Sequence, residues 1–225
     1  MNHDWEPLLL TFRLAAITTA ILFVIGVPLA CWIAYTRVRI KPVIETLVAM
    51  PLVLPPSVLG FYLLLAFSPQ NAFGRRLDEW FGIQLVFSFP GLVIGSVIFS
   101  LPFMVHPIQS GLQNLPRSLL EASRTLGKSD LQTLFRILLP NIKPALLSGG
   151  VLSFAHTVGE FGVILMIGGN IPGVTKVASI AIYDEVESLN YTAANFYAMV
   201  LFAVSFAILL MVYLMNKKLV RAGGP

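Results

Sequence analysis

The sequence predicts an all-α integral membrane protein with about five transmembrane helices. Of its 225 residues, 56% are hydrophobic and only 12% are charged, which is far more apolar than a soluble globular domain. Five continuous apolar runs are each long enough to cross a bilayer, whose hydrocarbon core takes roughly 20 helical residues. Because the runs are continuous rather than alternating, they do not fit the strands of a membrane barrel.

The predicted spans are not separated by a flexible linker, a low-complexity tract or a repeat boundary, so we expect a single transmembrane domain over residues 1–225. The first run is longer than a span requires, which predicts a tilted helix or opening turns at the interface. In chain order the spans are Leu8–Tyr35, Val43–Phe67, Leu85–Val105, Ile142–Ile167 and Asn195–Met215.

Basic residues orient these spans. Eleven of the fifteen lysines and arginines fall in loops on one side of the membrane, and most carboxylates fall on the other. Basic loops stay cytoplasmic, so we expect the N-terminus outside and the C-terminus in the cytoplasm. The bias accounts for the positive net charge without a nucleic-acid partner. The eleven are Arg37, Arg39, Lys41, Arg117, Arg124, Lys128, Arg136, Lys143, Lys217, Lys218 and Arg221.

A polar island at residues 115–141 interrupts the apolar pattern on the predicted cytoplasmic side. Gly127 suits the left-handed conformation that ends a helix, and Pro140 follows the predicted end of a second helix. Two residue pairs fit capping boxes, which mark helix starts: Ser118 with Glu121, and Ser129 with Gln132. The island is therefore predicted to form two short helices joined by a glycine turn.

The spacing within the island resembles the coupling loop of ABC-importer permeases. That loop reads Glu-Ala-Ala, three residues, Gly, nine residues, Ile-x-Leu-Pro, and here Ser123 replaces the second alanine. The resemblance implies that the two helices fit a groove on a separate ATPase subunit and pass its closure to the membrane helices. The alternative is an ordinary capped surface hairpin. The matching residues are Glu121, Ala122, Ser123, Gly127, Ile137, Leu139 and Pro140.

Three prolines interrupt the second span. Each removes a backbone donor and disrupts a helical turn, and broken backbone at membrane depth persists only where protein buries it or water lines it. This favours a position beside the translocation path or at a subunit interface, with a packing kink that does not contact substrate as the alternative. The candidate residues are Pro51, Pro55, Pro56 and Ser57, the last as an oxyanion contact.

The fourth span contains Glu160, and an intramembrane carboxylate is a functional candidate because it is costly to bury. His156 lies one helical turn earlier, so a structural pair between the two is also predicted as an alternative. A carboxylate lining an anion path would repel its cargo, which favours a gating or architectural role for Glu160. Ser153 and Thr157 offer neutral hydroxyl donors, which suit an oxyanion that must also leave.

The external loop Gly168–Lys176 imitates a phosphate-binding loop but does not satisfy the motif. Val174 stands where the motif requires lysine, and no strand precedes the loop. No residue set has metal-ligand spacing or a nucleophile–base arrangement. We therefore expect no ATP site, cofactor, metal site or catalytic residue in this chain.

A short helix is predicted at Ala178–Val186, leading into a group of carboxylates. These carboxylates are a candidate docking surface for an external partner, and a solvated charge cluster is the alternative. They are Asp184, Glu185 and Glu187.

Other segments resemble the molybdate branch of these permeases, which shares a five-helix core with the sulfate/thiosulfate and methionine permeases. They are Pro51–Pro56, Gly74–Arg76, Trp80–Ile83, Gly159–Gly162 and Gly169–Gly173. The resemblance covers nearly the whole chain and implies the type I ABC-importer permease fold in the lipid of a bacterial inner membrane. It also implies a homodimer of this chain, two copies of an ATPase that holds ATP and Mg²⁺, and a periplasmic molybdate-binding protein.

Alternating access is the mechanism that this resemblance implies. Two other functions stay open: a permease for tungstate, sulfate or thiosulfate, and an ion-driven secondary transporter without an ATPase. Secondary transporters often carry a repeat between their halves, and no repeat is visible here.

Overall fold

The computed structural model describes residues 4–222, with side chains described for residues 4–80 and 82–214. Within these residues the chain forms twelve α-helices and one π turn, and no strand. The predicted all-α fold class is therefore confirmed. The side chains of Lys217, Lys218 and Arg221, which contributed to the predicted orientation, lie outside the described residues.

Three helices are long and apolar enough to cross a membrane alone. They are α1 (Glu6–Tyr35), α5 (Phe89–Gln113) and α12 (Tyr191–Ala222). A proline in the first turn opens α1, where its missing N–H costs nothing. The hydroxyl of Ser88 caps α5 by accepting a 3.3 Å hydrogen bond from the Gly91 amide.

Two further spans are pairs of helices joined at a sharp bend. The helices α2 (Lys41–Val53) and α3 (Pro56–Phe67) meet at 113°. The segment Asp130–Asn141 meets α9 (Lys143–Val158) at 77°. If each bent pair counts as one span, the described residues contain up to five spans, in agreement with the predicted number.

The segment Asp130–Asn141 is a continuous helical run of three parts. It comprises α7 (Asp130–Thr133), a π turn (Leu134–Leu138) and α8 (Leu139–Asn141). The remaining helices are α4 (Ala72–Phe81), α6 (Arg117–Thr125), α10 (Gly162–Gly168) and α11 (Ala178–Glu187). The last of these confirms the short helix predicted at 178–186.

Three predicted spans differ from the observed helices, and the fifth does so by beginning at Tyr191, four residues before Asn195. The third begins four residues later than Leu85 and continues past Val105 to Gln113, because prolines inside a membrane helix are tolerated where neighbouring helices cover the freed backbone groups. The fourth is not one helix, since α9 ends at Val158 and α10 begins at Gly162. The non-helical link between them contains Glu160.

The core lies where α1, α5 and α9 pack against one another. Its buried side chains include Leu22 and Ile33 from α1 and Met104, Ile108 and Leu112 from α5. In a membrane, such contacts stabilise the bundle by close packing rather than by removal from water.

The last helix, α12, contributes little to this core. It contacts α11 and α9, yet only 6% of its most apolar window is buried, and Phe202 is 74% exposed. A long apolar helix with so little cover is suited to face lipid.

Candidate functional site

The first candidate region is the crossing of α3, which follows the break at Pro55, and α10, which follows α9 after the link containing Glu160. A Cβ placed on Gly162 would lie 2.8 Å from the Cβ of Pro56 and 3.4 Å from the amide nitrogen of Ser57. Farther along α3, a Cβ on Gly60 would lie 2.7 Å from the Cβ of Met166. Glycine on each helix thus lets the two half-helices approach closely.

Glu160 lies in the link just before this crossing and is only 4% exposed. Its backbone carbonyl accepts a 2.6 Å hydrogen bond from the Ser179 hydroxyl, which fixes the link against α11. Neither carboxyl oxygen of Glu160 has a hydrogen-bond partner among the described residues. This side chain is held by burial, and its gating or architectural role stays a prediction.

The predicted pair between His156 and Glu160 is wrong. The helix ends at Val158, between the two residues, so they no longer share a helical face. His156 instead has its Nδ1 2.9 Å from the Ser100 hydroxyl on α5, and its ring stacks on Phe103 with centroids 4.0 Å apart. His156 therefore ties α9 to α5.

The candidate path residues lie in two different environments, one exposed and one buried. Pro55, Pro56 and Ser57 are exposed on this chain at the start of α3, whereas Pro51 and Ser153 are buried. Thr157 is also buried, with its hydroxyl 3.0 Å from that of Ser100 and donating to the carbonyl of Ser153 at 2.9 Å. For all of these residues, contact with an oxyanion stays a prediction. The exposed residues at the start of α3 fit that role better than the buried residues do.

The second candidate region is the polar island, which forms two helices joined by a glycine turn. Gly127 has φ +68°, as predicted for the residue that ends α6. The capping box of Ser129 and Gln132 is present, with both hydrogen bonds at 3.3 Å. The capping box predicted for Ser118 and Glu121 is wrong: α6 begins at Arg117 after Pro116, which places Ser118 inside the first turn.

Pro140 does not follow the end of the second helix, as the sequence predicted. The helical run passes through it to Asn141. In the π turn before it, the amide of Leu139 bonds to the carbonyl of Leu134, five residues earlier. This wider turn accommodates a proline ring that would clash with the carbonyl four residues earlier in an α-helix.

A buried hydroxyl pair joins the two helices of the island. The Ser123 and Thr133 hydroxyls lie 2.6 Å apart, and both residues are buried. Sequence reasoning treated Ser123 only as a small replacement for alanine and did not find its partner. The sequence signal was Thr133, a second small hydroxyl residue, which the turn at Gly127 brings back to Ser123.

The polar island exposes large apolar side chains as well as charged ones. Leu126 is 73% exposed, Leu131 68% and Phe135 64%, while Glu121 and Ala122 are exposed beside them. Ile137 and Leu139 are half-buried and Pro140 is exposed. Exposed apolar residues grouped on a polar segment are typical of a surface that binds another protein.

The carboxylates of the external group all have partners within the chain. Asp184 lies 2.6 Å from the Lys176 ammonium and accepts hydrogen bonds from Asn170 at 2.7 Å. Partial burial opposes ionisation of Asp184, but these two donors and the charge of Lys176 hold its pKa below the ordinary value. Glu185 bonds to Asn190 at 2.7 Å, and Glu187 to Tyr183 at 2.5 Å. A docking role for these carboxylates stays a prediction.

Comparisons with known proteins agree on one family. Residues 26–221 match the family described as binding-protein-dependent transport system inner membrane component. The chain is 45% identical over 215 residues to the molybdenum transport system permease protein ModB of Azotobacter vinelandii, covering 94% of each chain. It is 34% identical to the protein of that name from Escherichia coli, over 83% of this chain and 82% of that protein. It is also 34% identical to the sulfate transport system permease protein CysT of Salmonella typhimurium, over 80% of this chain and 65% of that protein.

Two solved structures share the fold. The inward-facing MetNI methionine ABC transporter matches with a TM-score of 0.72 at 18% identity, covering 97% of this chain and 95% of that chain. A bacterial alginate ABC transporter in complex with an alginate pentasaccharide-bound periplasmic protein matches with a TM-score of 0.78 at 18% identity, covering 97% and 80%. The predicted type I ABC-importer permease fold is therefore confirmed.

We expect Gly162→Ala to destabilise the crossing and Gly159→Ala to be tolerated. The new methyl group at 162 meets Pro56 at 2.8 Å, whereas the nearest atom at 159 is 3.8 Å away. Overpacking of this kind costs about 1–3 kcal/mol. Thermal unfolding of the purified variants in detergent measures the difference. Equal midpoints for the two variants would contradict the close approach of α3 and α10.

We expect Ser123→Ala to be mild and Ser123→Leu to disrupt the island. Alanine removes one hydroxyl, and Thr133 keeps its 3.0 Å bond to the Ser129 carbonyl, so the cost is about 1 kcal/mol or less. Leucine does not fit the buried space between the helices. Protease protection of residues 115–141 measures the effect, and Ser118→Leu at an exposed position is the control. Equal protection of the Leu and Ala variants at 123 would refute the packing role.

Proposed function

We propose that this chain, which belongs to the family of binding-protein-dependent transport system inner membrane components, is the membrane permease subunit of an ATP-driven ABC importer of molybdate. The observation that carries the proposal is the 45% identity with the Azotobacter molybdenum permease over 94% of both chains. The chain forms the oxyanion path by alternating access, and it resides in the inner membrane.

A member of this family is a permease component and is not itself the catalyst of ATP hydrolysis. We infer that a separate ATPase subunit, present in two copies, holds ATP and Mg²⁺ and docks on the polar island. The exposed Leu126, Leu131 and Phe135 support this inference, because an apolar group on a cytoplasmic loop is best covered by a partner.

The other partners are a second copy of this chain and a periplasmic molybdate-binding protein. The alginate transporter with its periplasmic protein supports this type of assembly. The binding protein delivers cargo on the outer side, where the orientation derived from basic loops places the N-terminus and α11. The C-terminus is cytoplasmic in this arrangement.

The fold supports a route by which movement of the ATPase reaches the path. The buried hydroxyl pair links α6 to α7. The helical run of the island then turns by 77° directly into α9, without a flexible loop. At its far end, α9 leads through the Glu160 link to α10, which packs on α3. A push on the island is thus transmitted to the crossing where Pro56 and Ser57 are exposed.

Two alternatives concern the cargo and the energy source. Similarity to a sulfate permease keeps sulfate, thiosulfate and tungstate as the second candidates, because these are oxyanions of similar shape and charge. An ion-driven secondary transporter is disfavoured, since the exposed apolar face of the island would then have no partner.

We expect Glu121→Lys to release the ATPase subunit while the membrane helices stay folded. Glu121 is exposed on the island and contributes to no hydrogen bond through its carboxylate among the described residues, so its reversal changes the docking surface and not the core. Affinity purification of the tagged chain measures the ATPase recovered. Glu79→Lys, also exposed but on the predicted outer side, is the matched control. Full recovery with Glu121→Lys, together with unchanged transport, would rule out the docking assignment.

Competition uptake tests the cargo. Proteoliposomes with the complete importer and its binding protein should accumulate labelled molybdate only with ATP inside. An excess of unlabelled tungstate should compete, and an excess of sulfate should not. If sulfate competes as well as molybdate does, the chain is a general oxyanion permease. Uptake that persists without the ATPase subunit would support the secondary-transporter alternative.

A further inference from the structure

A cavity of about 860 Å³ opens at the predicted cytoplasmic end of the molecule. It lies between the ends of α1 and α5 and the helices of the polar island. Its apolar floor includes the buried residues Cys31, Leu112 and Leu138. Its charged wall consists of three arginines and two carboxylates: Arg37, Arg117, Arg124, Glu121 and Asp130. We refer to it as the arginine cavity.

The three arginines of this cavity are exposed and have no protein partner among the residues whose side chains are described. Among the residues whose side chains are described, the only ion pairs are Lys41–Glu45 and Lys176–Asp184. None of the three guanidinium groups has a hydrogen bond or an ion pair there, although Glu121 and Asp130 line the same cavity. Three positive and two negative groups leave a formal charge of +1. Guanidinium groups present a planar fork of donors that suits phosphate-type oxygens.

The first turn of α6 adds positive charge at the same place. Its N-cap is Pro116, which makes no side-chain cap, and its first turn contains no acidic residue. Instead its first residue is Arg117, which lines the cavity. The start of a helix favours negative charge, so a cation there is unfavourable unless an anion is nearby. An anion in the cavity would balance the charge of the guanidinium groups and the positive end of the α6 helix dipole.

The position of the cavity points to the class of ligand. The basic loops predict that this end faces the cytoplasmic side of the membrane, and the cavity is lined by the ends of the apolar helices α1 and α5. An apolar floor beneath a basic wall matches a molecule with a charged head and an apolar body, and basic pockets between membrane helices on this side recognise anionic headgroups.

We propose that the arginine cavity binds a phosphate-type tetrahedral oxyanion group through Arg37, Arg117 and Arg124, either as the headgroup of an anionic phospholipid or as a free ion. Such a ligand links the membrane helices α1 and α5 to α6, the first helix of the polar island. Anionic lipid thereby stabilises the attachment of the island to the membrane domain.

Native mass spectrometry of the purified full-length chain tests the proposal. Phosphatidylglycerol is titrated against phosphatidylcholine, and inorganic phosphate is added as the free competitor. We expect phosphatidylglycerol to bind more tightly, and the variant with Arg37→Gln, Arg117→Gln and Arg124→Gln to lose at least about tenfold in affinity. Arg136→Gln, an exposed arginine of the same island outside the cavity, should bind as the parent does.

A second variant separates the cavity from general surface charge. Ala34 lines the cavity, so Ala34→Phe fills part of it while leaving every arginine, and we expect it to lose binding as well. If the triple variant does not fold, the three single variants and Ala34→Phe carry the test.

The outcomes decide both the site and the source of the ligand. Competition by inorganic phosphate supports a site that also takes the free ion, and selective phosphatidylglycerol binding without competition supports the lipid headgroup. Equal binding of the two lipids with no effect of phosphate overturns the proposal. So does an equal loss in Arg136→Gln and the triple variant, or unchanged binding in Ala34→Phe.

Discussion

Inside a membrane every backbone polar group must be satisfied by the protein, and this constraint explains the arrangement of the rest of the structure. The chain interrupts two of its spans, at the proline between α2 and α3 and at the link containing Glu160. Each interruption frees backbone groups that lipid does not satisfy. The two are packed on each other at the contact of Gly162 with Pro56, and Ser179 covers the carbonyl of Glu160. The irregular backbone of these two interruptions is therefore gathered at one contact, which is where we propose that the transport path lies.

Helical continuity also supports our proposal that movement of the island reaches the crossing. Between the polar island and the crossing, the chain is helical except at the bend of Ile142. His156 and Thr157 attach α9 to α5 through Ser100. A displacement of the island is thus shared with the central helices instead of being absorbed by a loop. The same polar contacts that stabilise the core are suited to carry the coupling.

Composition and local pattern predicted the features that depend on neighbours in sequence. Hydropathy located the long helices because lipid exposure selects apolar residues over a whole span, and Gly127 and Ser129 were readable because turns and caps are local. Predictions failed where tertiary structure decides, and the unbroken fourth span is one of them. Pro116 starts α6 before Ser118, a π turn carries the helix through Pro140, and the helix break separates His156 from Glu160. The contact of Ser123 with Thr133 was also not predictable from the sequence, because it depends on how the two helices pack.

The arginines of the arginine cavity have two explanations, membrane orientation and anion binding, and the geometry of the cavity distinguishes them. Orientation by basic loops requires lysine and arginine on the cytoplasmic side, but it does not require them to converge. Lys128 and Arg136 satisfy it from outside the cavity, whereas Arg37 and Arg117 come from segments 80 residues apart and line one concavity. All three arginines of the cavity are exposed, so water solvates them when no ligand is bound. Three unpaired guanidinium groups thus converge around an apolar floor, and an anion bound between them is the explanation that we propose for this convergence.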